Sequence, residues 1–593
     1  MTVNQMITLT EDLERYLGDP HDPASRMPFE RVLNLDEREE FPFEFVGLLQ
    51  RWGLHEFSLP EEYGGRAGDV ELGFNLLRLV ARRDPTTATT LMVTNLAYLP
   101  AWIAGTDQQR AELLEAIKSG ARMAWGFSER HHGSDVLGNE MRAVKVDGGY
   151  RLTGEKWLIG NATLADVISV HARTEERGGP GGWSIFAVNK RRCPAGSIVE
   201  LPNEKLHGLR GLDLSGIRLD DLFVPDEARL GVEGQGLEIA LKSTQAARTL
   251  IAAMSLGTVD TAFRVTMDFV TQREIFGRRV VDMPYTRRQL AECFADLMLA
   301  DAMSTGAVRG LQANPGQASV FSSIVKFFVP TLLERSLAQL SIVLGARIYL
   351  RGDPHYGIYQ KMLRDVLIAI FADGNTVVNL KNIALQLDGF LRSALAPERS
   401  LRDQAAPRVR AMFHVDTKLP NFIPAQQQLF SRGVDDVVIA LPDSIEALRV
   451  MAGRAAGEQA DWLHRAADVA DAIAGQLHGL ASDVAQRKAA IGKEFGSSAE
   501  LFRLAEQYGA IHAAACTVHL AVHSAGLFGR AFPDGAVLLM TLERMWRLFY
   551  PTEPVTDAVV VDRVMEHVCR LHREHRLFSH WELRLQASEG SLL

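Results

Sequence analysis

The sequence has only four cysteines in 593 residues, Cys193, Cys293, Cys516 and Cys569. They form no CxxC pair and no close-spaced framework, which argues against a zinc ribbon and a disulfide-stapled secreted domain and predicts a reducing, cytoplasmic setting. There is no basic excess: Lys+Arg 64 against Asp+Glu 73 gives a net charge of -9, so no nucleic-acid partner is expected. No apolar run reaches the roughly 18 uncharged residues of a membrane span. The longest candidate, Ser323 to Leu350, is interrupted by Lys326, Glu334 and Arg335, so none is expected to cross a bilayer. The amino terminus, MTVNQMITLTEDLERYLGD, lacks the basic and apolar regions of a secretory signal. GxGxxG after a strand and GxxxxGK[ST] are also missing, which removes the Rossmann and P-loop cofactor sites. The histidines show no HExxH or comparable spacing, and no metal is expected.

What is present is ordinary globular material, 47% hydrophobic and 23% charged, in a length that implies several domains. Residues 1–121 carry apolar positions at three- and four-residue spacing, as in FEFVGLLQRWGL, and read as a helical domain. Residues 122–232 change to short alternating runs between turns, such as DVISVHART and WSIFAVN, and read as a β-barrel or sandwich. Long helical periods return over 233–395 and suggest a four-helix bundle. Residues 396–593 read as a linker followed by a helical extension, with Pro397, Pro407, Pro420 and Pro424 marking 396–434 as an irregular crossing segment. The fold class is therefore α+β, in an α, β, α order unlike an alternating βα sheet.

Within that order, seven segments resemble the acyl-CoA dehydrogenase family. They are AWGFSERHHGSDVLGNEMRAV from Ala124, YRLTGEKWLIGNATLADV from Tyr150, KLHGLRGLDLSGIRLDDLFVP from Lys205, LGVEGQGLEIAL from Leu230, ARTLIAA from Ala247, REIFGR from Arg273 and LRDVLIAIFADGN from Leu363. The resemblance implies FAD in a cleft between domains and subunits, and α,β-dehydrogenation of an acyl thioester carried by CoA or an acyl carrier protein. In that chemistry a carboxylate takes the α-proton while the β-hydrogen leaves as hydride to flavin N5, so the base needs an apolar, water-excluding site beside the flavin. Electron-transfer flavoprotein or O₂ is the implied acceptor, and fatty acid metabolism the implied setting.

The family's Arg-Asp, seven residues, Glu-Gly pattern places Asp373 at the catalytic position and Gly374 after it. Aspartate replaces glutamate, a shortening that nitroalkane oxidase, a family member, shares. Some branches carry the base before the arginine of ARTLIAA, but Ala247 stands there. Two readings of Asp373 remain side by side, general base or turn residue ahead of Gly374.

The same resemblance implies that Ser128 reaches the flavin ring and that Gly133 and Ser134 approach the pyrophosphate. Trp157, Leu158 and Gly160 occupy the segment where an aromatic and a hydroxyl normally meet the ring, Trp157 one place early and Gly160 in place of the hydroxyl. Core tryptophan is the alternative reading of Trp157. Arg273 and Phe276, ahead of Gly277, match the cofactor contact supplied by a neighbouring subunit. Pro284 and Arg347 depart from that second contact region, replacing a glutamine and an adenosine-side glycine. Arg248, Arg130, His131 and Gly374 are the candidates to meet the acyl substrate or its carrier.

The final third has no comparable match. Its helices have broad apolar faces that predict packing on the catalytic body and a homodimer. His519 and His523, four apart in an apolar helix, read as core histidines or as a zinc pair lacking a third ligand. A flavin oxidase of the same fold and a non-catalytic flavoprotein or scaffold are the rival functions.

Overall fold

The structure, a computed structural model, describes residues 2–66, 68–175, 179–529, 534–552 and 556–587. Its first helices are α1 (Val3–Leu17), α2 (Phe29–Arg38), α3 (Phe43–Trp52), α4 (Val70–Arg83), α5 (Pro85–Ala104) and α6 (Asp107–Lys118). Helix α5 starts on a strong signal: the Asp84 carboxylate accepts the N–H groups of Thr86 and Thr87, and Pro85 fills the first turn.

Eight strands follow: β1 (Met123–Gly126), β2 (Arg142–Val146), β3 (Gly149–Gly160), β4 (Val167–Arg173), β5 (Trp183–Asn189), β6 (Ile198–Glu200), β7 (Leu214–Pro225) and β8 (Arg229–Leu230). They join in the order β6-β7-β3-β2-β4-β5-β8, with β1 parallel to β4. A separate small core, including Tyr150, Ile168, Phe186 and Ile217, lies under this sheet. The larger core runs without interruption through the helical parts of the chain.

The bundle comprises α7 (Gly236–Leu250), α8 (Ala252–Gln272), a hairpin of β9 (Glu274–Ile275) and β10 (Arg278–Arg279), α9 (Pro284–Ala313), α10 (Ala318–Leu344), α11 (Pro354–Asp365), α12 (Ile368–Phe371) and α13 (Thr376–Leu395). The last third adds α14 (Arg399–Phe413), α15 (Asp436–Ile439), α16 (Leu441–Arg454), α17 (Glu458–Ile491), α18 (Ala499–Ser524), α19 (Ala536–Phe549) and α20 (Ala558–Arg573). Two helical stretches, Pro315–Tyr349 and Ala499–Leu527, are long and apolar enough to cross a membrane by length and composition. Here they pack among other helices: α10 lies against α8, α9 and α13, and α18 against α9, α13 and α17.

The stretch expected to cross irregularly from 396 to 434 does so only in part: Arg399–Phe413 is helical, with Pro407 inside it, while 414–434, with Pro420 and Pro424, is irregular apart from the short turn Pro424–Gln426. The end of the helix is fastened by one buried side chain. Arg309 of α9 donates to the carbonyls of Ala411, Met412, His414, Val415 and Thr417 at 3.0–3.1 Å, and to Glu71 at 2.7 Å. The carbonyls left free at a helix end thereby find a cation, which offsets the weak helix signal of the prolines. The extension is knit internally by His519, whose two ring nitrogens meet Ser444 Oγ and Val437 O, each at 2.8 Å. Both nitrogens are committed to protein groups, so His519 is a core histidine here and not half of a zinc pair.

The segment after α20 turns back under the bundle. Phe578 N–H donates to Asp260 at 2.9 Å, while Ser579 Oγ and His580 N–H donate to Asp301 at 2.6 and 3.0 Å. Arg78 of α4 joins them, 2.8 Å from Asp301 and 3.2 Å from Phe578 O. Burial alone would raise the Asp301 carboxyl, but Arg78 and His580 hold it below the ordinary carboxylate range. Removing the acid strands a fully buried guanidinium, and we predict that Asp301→Ala costs about 3–5 kcal/mol, read as a lowered denaturation midpoint. Because the folded value is depressed, the contribution is complete above the ordinary carboxylate pKa and fades as pH falls through the folded one. The gap between wild type and variant should therefore close in acid; a gap independent of pH would show that the charge does not carry the effect.

Candidate active site

A cavity of about 400 Å³ opens where the helical, β and bundle parts meet. Its walls come from α5 (Thr89, Met92, Val93, Leu96), from β1 and the loop after it (Trp125, Phe127, Ser128, Gly133, Ser134), from the end of β3 (Leu158, Ile159, Gly160), from α7 (Leu241, Thr244, Arg248) and from the α12–α13 turn (Phe371, Asp373, Gly374, Asn375). Among the described lining residues Asp373 is the sole carboxylate.

The turn holding Asp373 has an unusual backbone. Asp373 has φ +55 and Gly374 φ +92, so two successive residues are left-handed. Aspartate tolerates that region better than most non-glycine residues, which gives the shorter acid a local rationale. Gly374 is required twice over, since a Cβ there would lie 2.8 Å from Arg248 Nη2. Arg248 Nε donates to the Asp373 carbonyl at 2.8 Å. From the other side Asn375 caps α13 by accepting Val378 N–H, and Asn379 Nδ2 donates to Gly374 O at 2.9 Å. The main chain of the turn is thus fixed, while among the described residues no donor is bonded to the Asp373 carboxylate. Burial raises its pKa, and Lys326 and Arg248 partly counter that shift.

The opposite wall is set by a bulge in β3. The register with β7 shifts between Trp157 and Ile159, and Leu158 has φ +59, a local twist of the kind that re-aims side chains. Leu158 reaches the cavity and Trp157 does not. The Trp157 indole instead donates to Glu204 at 2.8 Å, and the Arg130 guanidinium lies 4.5 Å from its ring centre. Gly160 also has a packing reason, because a Cβ would come 2.9 Å from Val93 Cγ2; the side chain that a hydroxyl residue needs has no room against α5. Ser128 Oγ donates to Trp157 O at 3.0 Å. Beneath it, fully buried Lys156 meets Glu129 at 2.8 Å and Phe127 O at 3.1 Å. Burial outweighs Glu129 and brings that lysine down to about 8.

The structure therefore gathers Ser128, Gly133, Ser134, Leu158, Gly160, Arg248, Asp373 and Gly374 around one space. Trp157, Arg130 and His131 lie outside it. Arg273 and Phe276 belong to the β9–β10 hairpin, where Phe276 is 96% exposed. Arg347 stacks locally, 4.5 Å from the Phe269 ring centre and 5.7 Å from that of Tyr356. Missed in the sequence were the α5 wall and the stacked pair Trp125 and Phe127, ring centres 5.3 Å apart. The aromatic spacing in AWGF was the one available signal.

Known proteins align with this arrangement. Family descriptions match the chain over residues 24–121 (acyl-CoA dehydrogenase, N-terminal domain), 124–222 (middle domain) and 234–387 (C-terminal domain). Cyclohex-1-ene-1-carbonyl-CoA dehydrogenase of Syntrophus aciditrophicus (strain SB) is 26% identical over 377 residues, 63% of this chain and 90% of its own. The caffeyl-CoA reductase-Etf complex subunit CarC of Acetobacterium woodii is 27% identical over 346 residues, 58% of this chain and 89% of its own. An acyl-CoA dehydrogenase from Bacillus anthracis, solved in complex with FAD, shares the fold at TM-score 0.70 and 19% identity over 97% of this chain and 95% of that one. That match includes the extension.

We predict that Gly374→Ala destabilises the protein by about 1–2 kcal/mol from the left-handed backbone alone and displaces Arg248 from the Asp373 carbonyl. A wild-type thermal midpoint in the variant would contradict this account of the turn.

Proposed function

The chain belongs to the acyl-CoA dehydrogenase family and is an FAD-dependent oxidoreductase; on that premise we propose that it dehydrogenates an acyl thioester between Cα and Cβ, with Asp373 as the base for the α-proton. One observation carries the assignment of the base: among the described residues a single carboxylate lines the cavity, its main chain tied down and its own oxygens bonded to none of the described donors. A base so placed accepts a proton without first breaking a bond.

The residues present fit the family's cofactor. The cavity is lined by the stacked rings of Trp125 and Phe127, by Gly133 and Gly160, and by Ser128 and Ser134. Space around Gly133 is open, with no atom within 4 Å of where a Cβ would stand. FAD, when bound, supplies the hydride acceptor. The protein's own part is to seat the thioester against the apolar face of α5, keep water from the reacting carbons and take the proton on a carboxylate oxygen of Asp373. The product is the 2-enoyl thioester.

The relatives named for CoA thioesters support CoA as carrier, and the Etf-complex subunit supports an electron-transferring flavoprotein as acceptor. The aspartate favours one second reading, an oxidase of the same fold; oxygen uptake with an acyl-CoA or nitroalkane panel separates the two. The outward Phe276 on its hairpin supports a homodimer in which Arg273 and Phe276 serve the partner's cofactor. Replacing the guanidinium in Arg273→Ala should then lower bound flavin more than tenfold, about 1.5–3 kcal/mol for a charge-assisted contact. Full flavin occupancy after gel filtration would remove the hairpin from cofactor binding.

Asp373→Asn should keep FAD and slow its reduction by an acyl-CoA by about 10²–10⁴-fold. In the wild type, reduction should fall away on the acid side with a midpoint above the ordinary carboxylate value of about 4, because the base is active only when ionised and its pKa is raised. Stopped-flow flavin bleaching measures both. Near-normal reduction in the variant would overturn the assignment.

A further inference from the structure

Beside the site the structure buries a lysine that pairs with no carboxylate among the described residues. Lys326 of α10 is fully buried. Its Nζ donates to Ala369 O at 2.5 Å, a carbonyl of α12, and among the described residues it forms no ion pair. The acids of α7, α8, α9, α11 and α13, all packed on α10, are paired elsewhere: Asp260 and Asp268 of α8 with Arg82 and His572, Glu292, Asp296 and Asp301 of α9 with Arg544 and Arg78, Glu238 of α7 with Lys242, Asp365 of α11 with Lys361, and Asp388 of α13 with Lys488. The charged groups that act on Lys326 are Asp373, from the turn, and Arg248, from α7.

An unmatched buried ammonium is costly, and a residue needed only for packing at that depth would be apolar. What the ammonium gains here is a carbonyl and a nearby negative charge. The arrangement is doubled, since Lys326 and Arg248 each bond a main-chain carbonyl of the 369–373 segment and, among the described residues, leave the Asp373 carboxylate without a direct partner. A direct salt bridge would have lowered the basicity of the acid and blocked its lone pairs. A cation bonded to the backbone instead gives the carboxylate a positive field and leaves its oxygens open.

We infer that Lys326 is a positioning residue for the base, fixing α12 through the Ala369 carbonyl and, as a buried cation, keeping the Asp373 carboxylate ionised while its oxygens stay free for substrate. This rests on Asp373 being the base. The electrostatic directions agree. Burial raises Asp373 and Lys326 is the larger of the two cations opposing that rise, while burial brings Lys326 down to about 7 against the pull of Asp373. Taking the positive charge away therefore moves Asp373 further up, and the acid limb of the reaction with it.

The test uses the full-length holoenzyme with Lys326→Met and with Lys326→Gln, which retains a donor for Ala369 O but no charge. Flavin reduction by an acyl-CoA that reduces the wild type is followed anaerobically from pH 5 to about pH 9. We expect wild-type flavin content and an acid limb displaced upward by about one pH unit or more in both variants, a roughly tenfold slower reduction on the acid side. A role confined to the hydrogen bond would leave the limb of Lys326→Gln in place, and an unchanged limb in either folded variant overturns the inference. Asp373→Asn is run alongside. If it still reduces flavin at near the wild-type rate, the base assignment has failed; if it is inactive while the Lys326 variants keep the wild-type limb, the base stands and Lys326 has no part in it.

Discussion

The site depends on a knot of buried charge at the carboxyl end of α11. Lys361 meets Asp84 at 2.9 Å and also Asp365, Arg364 meets Asp36 at 2.6 Å, and Asp365 accepts the Leu209 N–H at 2.7 Å. Arg364 further donates to His207 O at 3.0 Å. Those contacts draw α2, the start of α5 and the loop before β7 onto one turn of one helix. Asp84 is at once a member of the knot and the cap of α5, and Asp373 follows the knot by a single short helix. The knot thus holds the start of α5 and the end of α11, the two elements between which the α5 wall and Asp373 face the cavity. Burial alone would lower Lys361, but Asp365, Asp84 and Asp36 together raise it, so the cation persists. Such clusters add little net stability over apolar packing, but losing one member leaves another charge stranded.

This explains why so much was legible in one short stretch of sequence. LRDVLIAIFADGN contains both the knot (Arg364, Asp365) and the proposed base (Asp373), and its spacing reflects a fixed helix and turn. The order of helical, β and bundle segments was readable because hydrophobic period changes with element type. Ser128, Ser134, Leu158, Gly160, Arg248 and Gly374 could be placed by their matching segments, and the structure brings them to the same cavity. Trp157 could not, since its side is decided by a bulge whose signal is a backbone angle at Leu158 and not a residue type. The α5 wall was silent for a different reason: Met92, Val93 and Leu96 are common core residues, and nothing in an apolar helix face marks it as lining a site. Lys326 was visible only as a charge interrupting an apolar run, although burying that charge is what gives it consequence.

The extension shows how prolines mislead when tertiary contacts are unknown. Four of them suggested an irregular crossing over 396–434, which holds for 414–434, yet over 399–413 a helix forms around Pro407, and one arginine of α9 takes up carbonyls at and just past its end. Local propensity is a weak prior against a buried guanidinium that binds five main-chain carbonyls. The same arginine pairs with Glu71 of α4, so the beginning of the extension is bound to the amino-terminal helices as well as to the bundle.

The tail beneath the bundle has a consequence for biosynthesis. Arg78 lies near the start of the chain, but two of its partners, the Ser579 hydroxyl and the Phe578 carbonyl, are about five hundred positions later. At ribosomal speeds of about 5–20 residues per second, on the order of 25–100 s pass between the emergence of that guanidinium and the arrival of the segment that covers it. For that interval the nascent amino-terminal helices carry a cation and an apolar face awaiting closure, and a chain stalled late in translation would leave the catalytic body assembled but open at its base. Quality control in the cell would meet this protein as a nearly finished fold still waiting for a latch made about five hundred residues after the cation it closes on.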